Sequence, residues 1–277
     1  KAVYGDQPIG WSIAGTLEIV DGITRQDMRR HLDTWYVPNN MVLSVAGNVT
    51  HEQVLALAEK CWGKAEPREV PCVPPAAPEL GTERLQFDRR DLAQANLAIG
   101  MRGIRREDPD RFALTILTNV LGRGMSSRLF REVREKRGLA YSVGASTARY
   151  MDTGAFSVSA GVSPENAVKA VKVIMAELRK LIEKPVGKAE LSKARDYAAG
   201  SFRLGLESSM ALAQRAGENL LMVKKIEPVQ RIVDGLRGVT ADDVQRVAAR
   251  VFREDNLAIA AVGPDLDTRR LEAALHF

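Results

Sequence analysis

The sequence predicts an α+β fold, a duplicated domain of mostly antiparallel sheet with helices packed on one side, of which the first copy is incomplete. Two observations lead there. Across residues 83–263 the apolar pattern gives strands first, then a block of helices, then one returning strand, the order of a sheet covered on one face. The second is a repeat: residues 22–47, GITRQDMRRHLDTWYVPNNMVLSVAG, recur without a gap as residues 238–263, GVTADDVQRVAARVFREDNLAIAAVG. Gly22, Thr24, Asp27, Arg30, Asn40 and Gly47 fall on Gly238, Thr240, Asp243, Arg246, Asn256 and Gly263, an offset of 216 residues. A repeat that long is a duplicated domain rather than a solenoid unit.

Thr24 and Thr240 each stand where a helix needs its N-cap, with Asp27 or Asp243 in the positively polarised first turn. Each helix runs through a polar turn, ending at Asn40 or Asn256, into an apolar strand closed by glycine. The second copy has a whole domain's length ahead of residue 238, whereas the first has 21 residues ahead of it. About 150 residues of domain one are therefore expected before Lys1. The strand Met41–Ala46 should then lack most of its sheet and pair with a second chain, or lie under residues 1–20, because a bare apolar edge invites association.

Pro67 to Leu80 holds five prolines, a composition that favours an extended, semi-rigid linker. It divides the chain into 1–66, the end of the first domain, a linker at 67–80, and a second domain at 81–277.

In that second domain Glu83–Asp88 and Ala93–Met101 read as strands, the latter with Ala95, Leu97 and Ile99 on one face. Asp108-Pro109 opens a helix carrying Phe112, Ile116, Leu117 and Val120. Tyr141–Tyr150 and Gly154–Gly161 read as paired strands around Met151-Asp152-Thr153. Ser163-Pro164-Glu165 starts a helix with Ser163 as N-cap and an apolar stripe from Ala167 to Ile182, a core face. Three helices follow, across Lys188–Glu207, Ser209–Val223 and Glu227–Leu236, before the repeated helix and strand.

Composition narrows the function classes. The chain has 277 residues and a net charge of +5, with acids and bases interleaved in stretches such as REVREKR. That describes solvated helix faces rather than a nucleic-acid track. No apolar run approaches the ~20 residues that span a bilayer. Cys61 and Cys72 lie eleven apart without a neighbouring histidine, so neither zinc-ribbon nor thioredoxin spacing is present. A soluble protein, cytoplasmic or periplasmic, is expected.

The most particular stretch is Leu121–Tyr141, LGRGMSSRLFREVREKRGLAY: glycines around Arg123, a Met-Ser-Ser turn, a short charged helix ended by Gly138, and a strand opened by Leu139 to Val143. It resembles the second-half signature of the pitrilysin/insulinase-type zinc peptidases, which include the processing peptidases. The resemblance covers nearly the whole chain and implies a clamshell of two such domains around a closed chamber. In that family an inverted motif, H-x-x-E-H, on a first-domain helix binds zinc with a more distant Glu, and the motif's own Glu serves as general base. This chain lacks the motif. Its histidines are His31, His51 and His276, and His51-Glu52 begins an H-E-x-x-H that Leu55 ends.

By the same resemblance an Arg and a Tyr seven apart on the second domain complete the site, here Arg134 and Tyr141. Tyr141 would hydrogen-bond the scissile carbonyl as its oxygen becomes anionic, and Arg134 would hold a neighbouring backbone carbonyl. Zinc is expected in the missing N-terminal domain or a partner subunit, peptides as substrates, and a homo- or heterodimer as the assembly. Two other readings stay open: a metal-free subunit beside a zinc-bearing partner, and a structural homologue without peptidase activity.

Overall fold

The computed structural model describes residues 1–77 and 84–277. The last residues of the expected linker (78–80), the expected start of a second domain (81–83) and, with it, the first residue of the expected strand 83–88 lie outside the described residues. Five strands form one sheet: β1 (Leu85–Arg89), β2 (Ala95–Arg102), β3 (Ala140–Arg149), β4 (Gly154–Val162) and β5 (Leu257–Gly263). Ten α-helices accompany them among the described residues. The first four are α1 (Leu17–Gly22), α2 (Arg25–Trp35), α3 (His51–Trp62) and α4 (Arg111–Gly122). Next come α5 (Ala167–Glu183), α6 (Lys188–Leu204) and α7 (Ser209–Val223), followed by α8 (Val229–Gly238), α9 (Ala241–Val251) and α10 (Thr268–Ala273). The chain forms two compact units, one of Lys1–Trp11, Pro75–Ala199 and Val233–Phe277, the other of Ser12–Pro74 and Gly200–Ile232.

In the first unit the sheet order is β1-β5-β2-β4-β3, and only the β1–β5 pair is parallel. The α+β architecture with a mostly antiparallel sheet is thus present. The period of two along each strand puts three apolar rows on one face of the central strands. Leu97 lies between Ala160 and Ala261, Ile99 between Val158 and Ile259, and Met101 between Phe156 and Leu257, all buried. The helices α4, α5 and α9 carry the matching stripes. Ile116, Leu117 and Val120 are buried on α4, Val171, Ile174, Leu178 and Leu181 on α5, and Val244, Val247 and Val251 on α9. On the same sheet, Tyr4 is buried, donates to the Gly154 carbonyl, and lies under the Arg102 guanidinium at 4.9 Å.

The start of α4 differs from the expected one. The helix begins at Arg111, after Asp110, because Asp108 and Asp110 are engaged elsewhere. Asp108 accepts from the Asp110 N–H (2.9 Å) and from both Arg250 nitrogens (2.9 and 2.8 Å), and Asp110 accepts from Arg246 (2.6 Å) and Arg250 (2.9 Å). Burial alone would raise the Asp108 pKa, but the bonds from Arg250 and the Asp110 N–H outweigh it and hold the carboxyl below its ordinary range. This pair of carboxylates locks α9, the helix before β5, onto α4. Ser163 does not cap α5 either. A 3₁₀ turn, Pro164–Asn166, intervenes, and the Ser163 hydroxyl accepts from Asn166 Nδ2 at 2.9 Å.

The two repeat copies share their caps. In α2 and α9 the threonine hydroxyl accepts from the aspartate N–H (3.2 and 3.1 Å), and the carboxylate accepts back from the threonine N–H (3.0 and 2.9 Å). They part at the strand. Leu257–Gly263 is β5, whereas Met41–Ala46 takes no strand pairing, and Met41, Leu43 and Val45 are about half exposed (45, 55 and 50 %). The expected strand is therefore absent. β5 exists because β1 and β2 flank it, and no such flanking strands occur in the second unit among the described residues. That unit holds α1, α2, α3 and α7. Asn39 and the Arg68 backbone exchange hydrogen bonds of 2.9 and 3.1 Å, tying the beginning of the expected linker to the turn after α2.

Two outcomes follow for stability. The Asp243 carboxyl is lowered from 3.8 to about 2, first by the Thr240 hydroxyl and N–H and then by Arg246. Its contribution is complete above about pH 4 and is lost as pH falls through about 2. Asp243→Ala should cost about 1 kcal/mol at neutral pH, and denaturation at a series of pH values should show that difference closing towards pH 2. Gly122→Ala should cost about 1–3 kcal/mol, because a Cβ there would lie 2.2 Å from the Ala145 nitrogen of β3, backbone that cannot swing aside. Urea unfolding measures the loss.

Candidate functional site

The segment Gly122–Tyr141 connects α4 to β3. Gly122 lets the end of α4 rest directly on β3 at Ala145. A tight turn follows, in which the Gly124 carbonyl accepts from the Ser127 N–H (3.2 Å) and hydroxyl (2.7 Å). Arg128 then meets Glu190, in the first turn of α6, through two hydrogen bonds of 2.8 Å. This fork-to-fork pair is largely sheltered and anchors the turn to a helix distant in sequence.

Phe130–Glu135 forms a single π-helical turn, shown by the Lys136 N–H bonding back to the Arg131 carbonyl at 2.9 Å. Leu129 and Val133 are wholly buried and seat the turn. Gly138, at φ +58, ends it in a left-handed conformation that a β-carbon would resist.

The charges of this turn are not equivalent. Glu132 accepts from Lys136 (2.6 Å) and Arg137 (2.8 Å), and these two cations, Lys136 first, pull its carboxyl to about 2. Arg137 also donates to the Glu132 carbonyl at 2.7 Å. Arg134 is different. Its guanidinium lies over the Phe130 ring at 5.0 Å, and among the described residues it makes no ion pair. Of the cations from Arg134 to Arg137, only Arg134 is left for a ligand.

Tyr141 has its own device. In the β3–β4 ladder Ala140 opposes Val162 and Ser142 opposes Gly161, so Tyr141 is an extra residue on β3. A bulge of this kind turns a side chain out of the regular alternation. Tyr141 is 64 % exposed although it stands at the start of a strand whose neighbour Ala140 is buried. Both expected site residues thus lie in the first unit on one short segment, each free to engage a ligand. No hydrogen bond joins them among the described residues.

The histidines do not form a metal site. His31 is on α2 near the Trp35 and Tyr36 rings, His51 opens α3, and His276 bonds the Ala273 carbonyl at 3.0 Å. Among the described residues no group of three or more His, Cys, Asp or Glu side chains is placed to hold a metal ion.

Residues 22–197 match the family described as Peptidase M16 inactive domain. The chain belongs to the M16 peptidase family. It is 35 % identical over 280 residues to an uncharacterized zinc protease of Streptomyces coelicolor, covering 99 % of this chain and 61 % of that protein. An uncharacterized zinc protease of Bacillus subtilis is 32 % identical over 264 residues, covering 95 % of this chain and 64 % of its own length. The chain therefore spans about three fifths of the length of these curated relatives. The fold matches a solved M16 inactive domain from Pseudomonas fluorescens with a TM-score of 0.80 and 20 % identity, over 96 % of this chain and 64 % of that one. The M16 chain is accordingly a C-terminal, inactive-domain portion. No helix of the described residues is long and apolar enough to cross a membrane.

The sequence singled out Arg134 and Tyr141 as candidates but not what holds them. Glu190 gives no local sign of its link to Arg128. Glu132 was legible only as one charge of an interleaved run. Arg128→Ala should lower stability by about 2 kcal/mol, since it leaves Glu190 without its charged partner. Arg134→Ala should stay within about 1 kcal/mol, because among the described residues the Phe130 ring is the only tie of its side chain. Denaturant titration of the two variants side by side distinguishes an anchor from a ligand-facing group.

Proposed function

We propose that this chain is the C-terminal portion of a zinc-dependent metalloendopeptidase that hydrolyses peptides in a two-domain chamber, and that it supplies the Arg/Tyr substrate-binding side. The observation that carries this reading is the contrast within one turn: Lys136 and Arg137 are occupied by Glu132, while Arg134 stays unpaired and a bulge turns Tyr141 outward. An exposed phenol seven residues from a guanidinium that makes no ion pair among the described residues suits a ligand-holding role.

In this reading residues 1–66 are the end of a first peptidase-like domain, 67–80 the linker, and 81–277 the metal-free domain. Zinc belongs to the part of the protein ahead of this chain or to a partner subunit. The Tyr141 hydroxyl donates to the scissile carbonyl oxygen and gains strength as negative charge develops there. Arg134, fixed in direction by Phe130, donates to a neighbouring backbone carbonyl and holds the peptide extended across the site.

Tyr141→Phe in the full-length protein tests this. Loss of one oxyanion donor should lower kcat by about 10²–10³-fold, with KM and the unfolding midpoint nearly unchanged. Unchanged turnover on a fluorogenic peptide would remove Tyr141 from the chemistry.

A further inference from the structure

The signature turn has a second face that Arg134 and Tyr141 do not use. Between the Gly124–Ser127 turn, the end of α4 and the first turns of α6 lies an open cleft of about 460 Å³. Val120, Met125 and Tyr197 give it apolar surface, and Arg123, Lys193 and Glu190 its charges. Among the described residues Glu190 is the only acid lining it, and both its oxygens are taken by Arg128 at 2.8 Å. Arg123 and Lys193, both exposed, make no ion pair among the described residues. The cleft therefore presents two uncompensated positive charges beside an aromatic ring and a thioether, on a turn held still by the Arg128–Glu190 fork.

We propose that this cleft is a side-chain subsite for an acidic residue of the bound peptide, so that the protein prefers substrates bearing a Glu or Asp. The inference rests on the peptidase reading above for its occupant, an extended peptide, and on charge complementarity for the occupant's chemistry. The carboxylate lies between the Arg123 guanidinium and the Lys193 ammonium, and the aliphatic stem of the acid packs on Met125 and Tyr197. Arg128 acts here as a positioning residue. Without it, the Glu190 carboxylate would be released to cancel one of the two cations.

The probes are two fluorescein-labelled decapeptides of Ala, Ser and Leu with blocked termini, identical except for one central Glu or Gln. Anisotropy is read on the full-length protein with a chelator present, so that binding is scored apart from cleavage. The Glu peptide should bind about tenfold more tightly, the scale of one charge-assisted contact. That ratio should fall to one or below in Arg123→Gln/Lys193→Gln, a milder change than charge reversal at two exposed positions. Arg269→Gln, an exposed cation on α10, should leave it intact. Equal binding of both peptides, or a Glu preference that persists in the double variant, overturns the subsite. Cleavage of the same pair without chelator separates the two claims. A Glu preference in binding without hydrolysis supports the subsite and counts against the peptidase reading, whereas hydrolysis without preference does the reverse.

Discussion

The structure depends on β5 reaching the middle of the sheet. It is the last strand of the chain, yet it lies between β1 and β2 and supplies one third of each apolar row across the central strands. Leu85 and Ile259 are direct neighbours in the parallel pair. Until the C-terminal segment returns, β1 has no partner, and α4, α5 and α9 have no complete surface to cover. The Asp108/Asp110 pair with Arg246/Arg250 fixes that return. It orients α9 on α4, so the strand that follows enters in one register. Breaking one member would strand a sheltered charge, which costs more than the pair itself contributes.

The candidate site uses the far edge of the same sheet. Because β3 is the edge strand, a bulge at Tyr141 disturbs one ladder only, and the turned-out phenol has no further strand beside it. α4 reaches β3 through Gly122, the Arg128–Glu190 fork holds the turn, and Leu129 and Val133 seat it in the core. The π-helical turn then spaces its cations so that Glu132 collects two and spares Arg134. Rigid support with an exposed, unpaired working face is the arrangement that preorganised recognition requires.

Much of this was legible in the sequence, for identifiable reasons. Capping boxes are local, so Thr24 with Asp27 and Thr240 with Asp243 announced both helix starts. The hairpin of β3 and β4 and the long stripe of α5 follow from periods of two and about 3.6 residues. Other features were not legible because they depend on distant partners. Met41–Ala46 has the same local pattern as β5, but a strand exists only where another strand accepts its hydrogen bonds. The later start of α4 is decided by arginines on α9, and the hold on the signature turn by a glutamate on α6. The resemblance carried by Leu121–Tyr141 pointed to Arg134 and Tyr141. The geometry adds why Arg134 rather than Arg137 is available.

In the proposed reading this chain contributes substrate-holding groups to a zinc site that its described residues do not form. Zinc content and peptide hydrolysis measured together, on the full-length protein and on this 277-residue chain, test it most directly. Zinc and zinc-dependent hydrolysis are expected in the longer protein, or in its complex with a partner subunit, and neither in the chain alone. Chelator-sensitive hydrolysis by the chain alone, with zinc bound in stoichiometric amount, would contradict it.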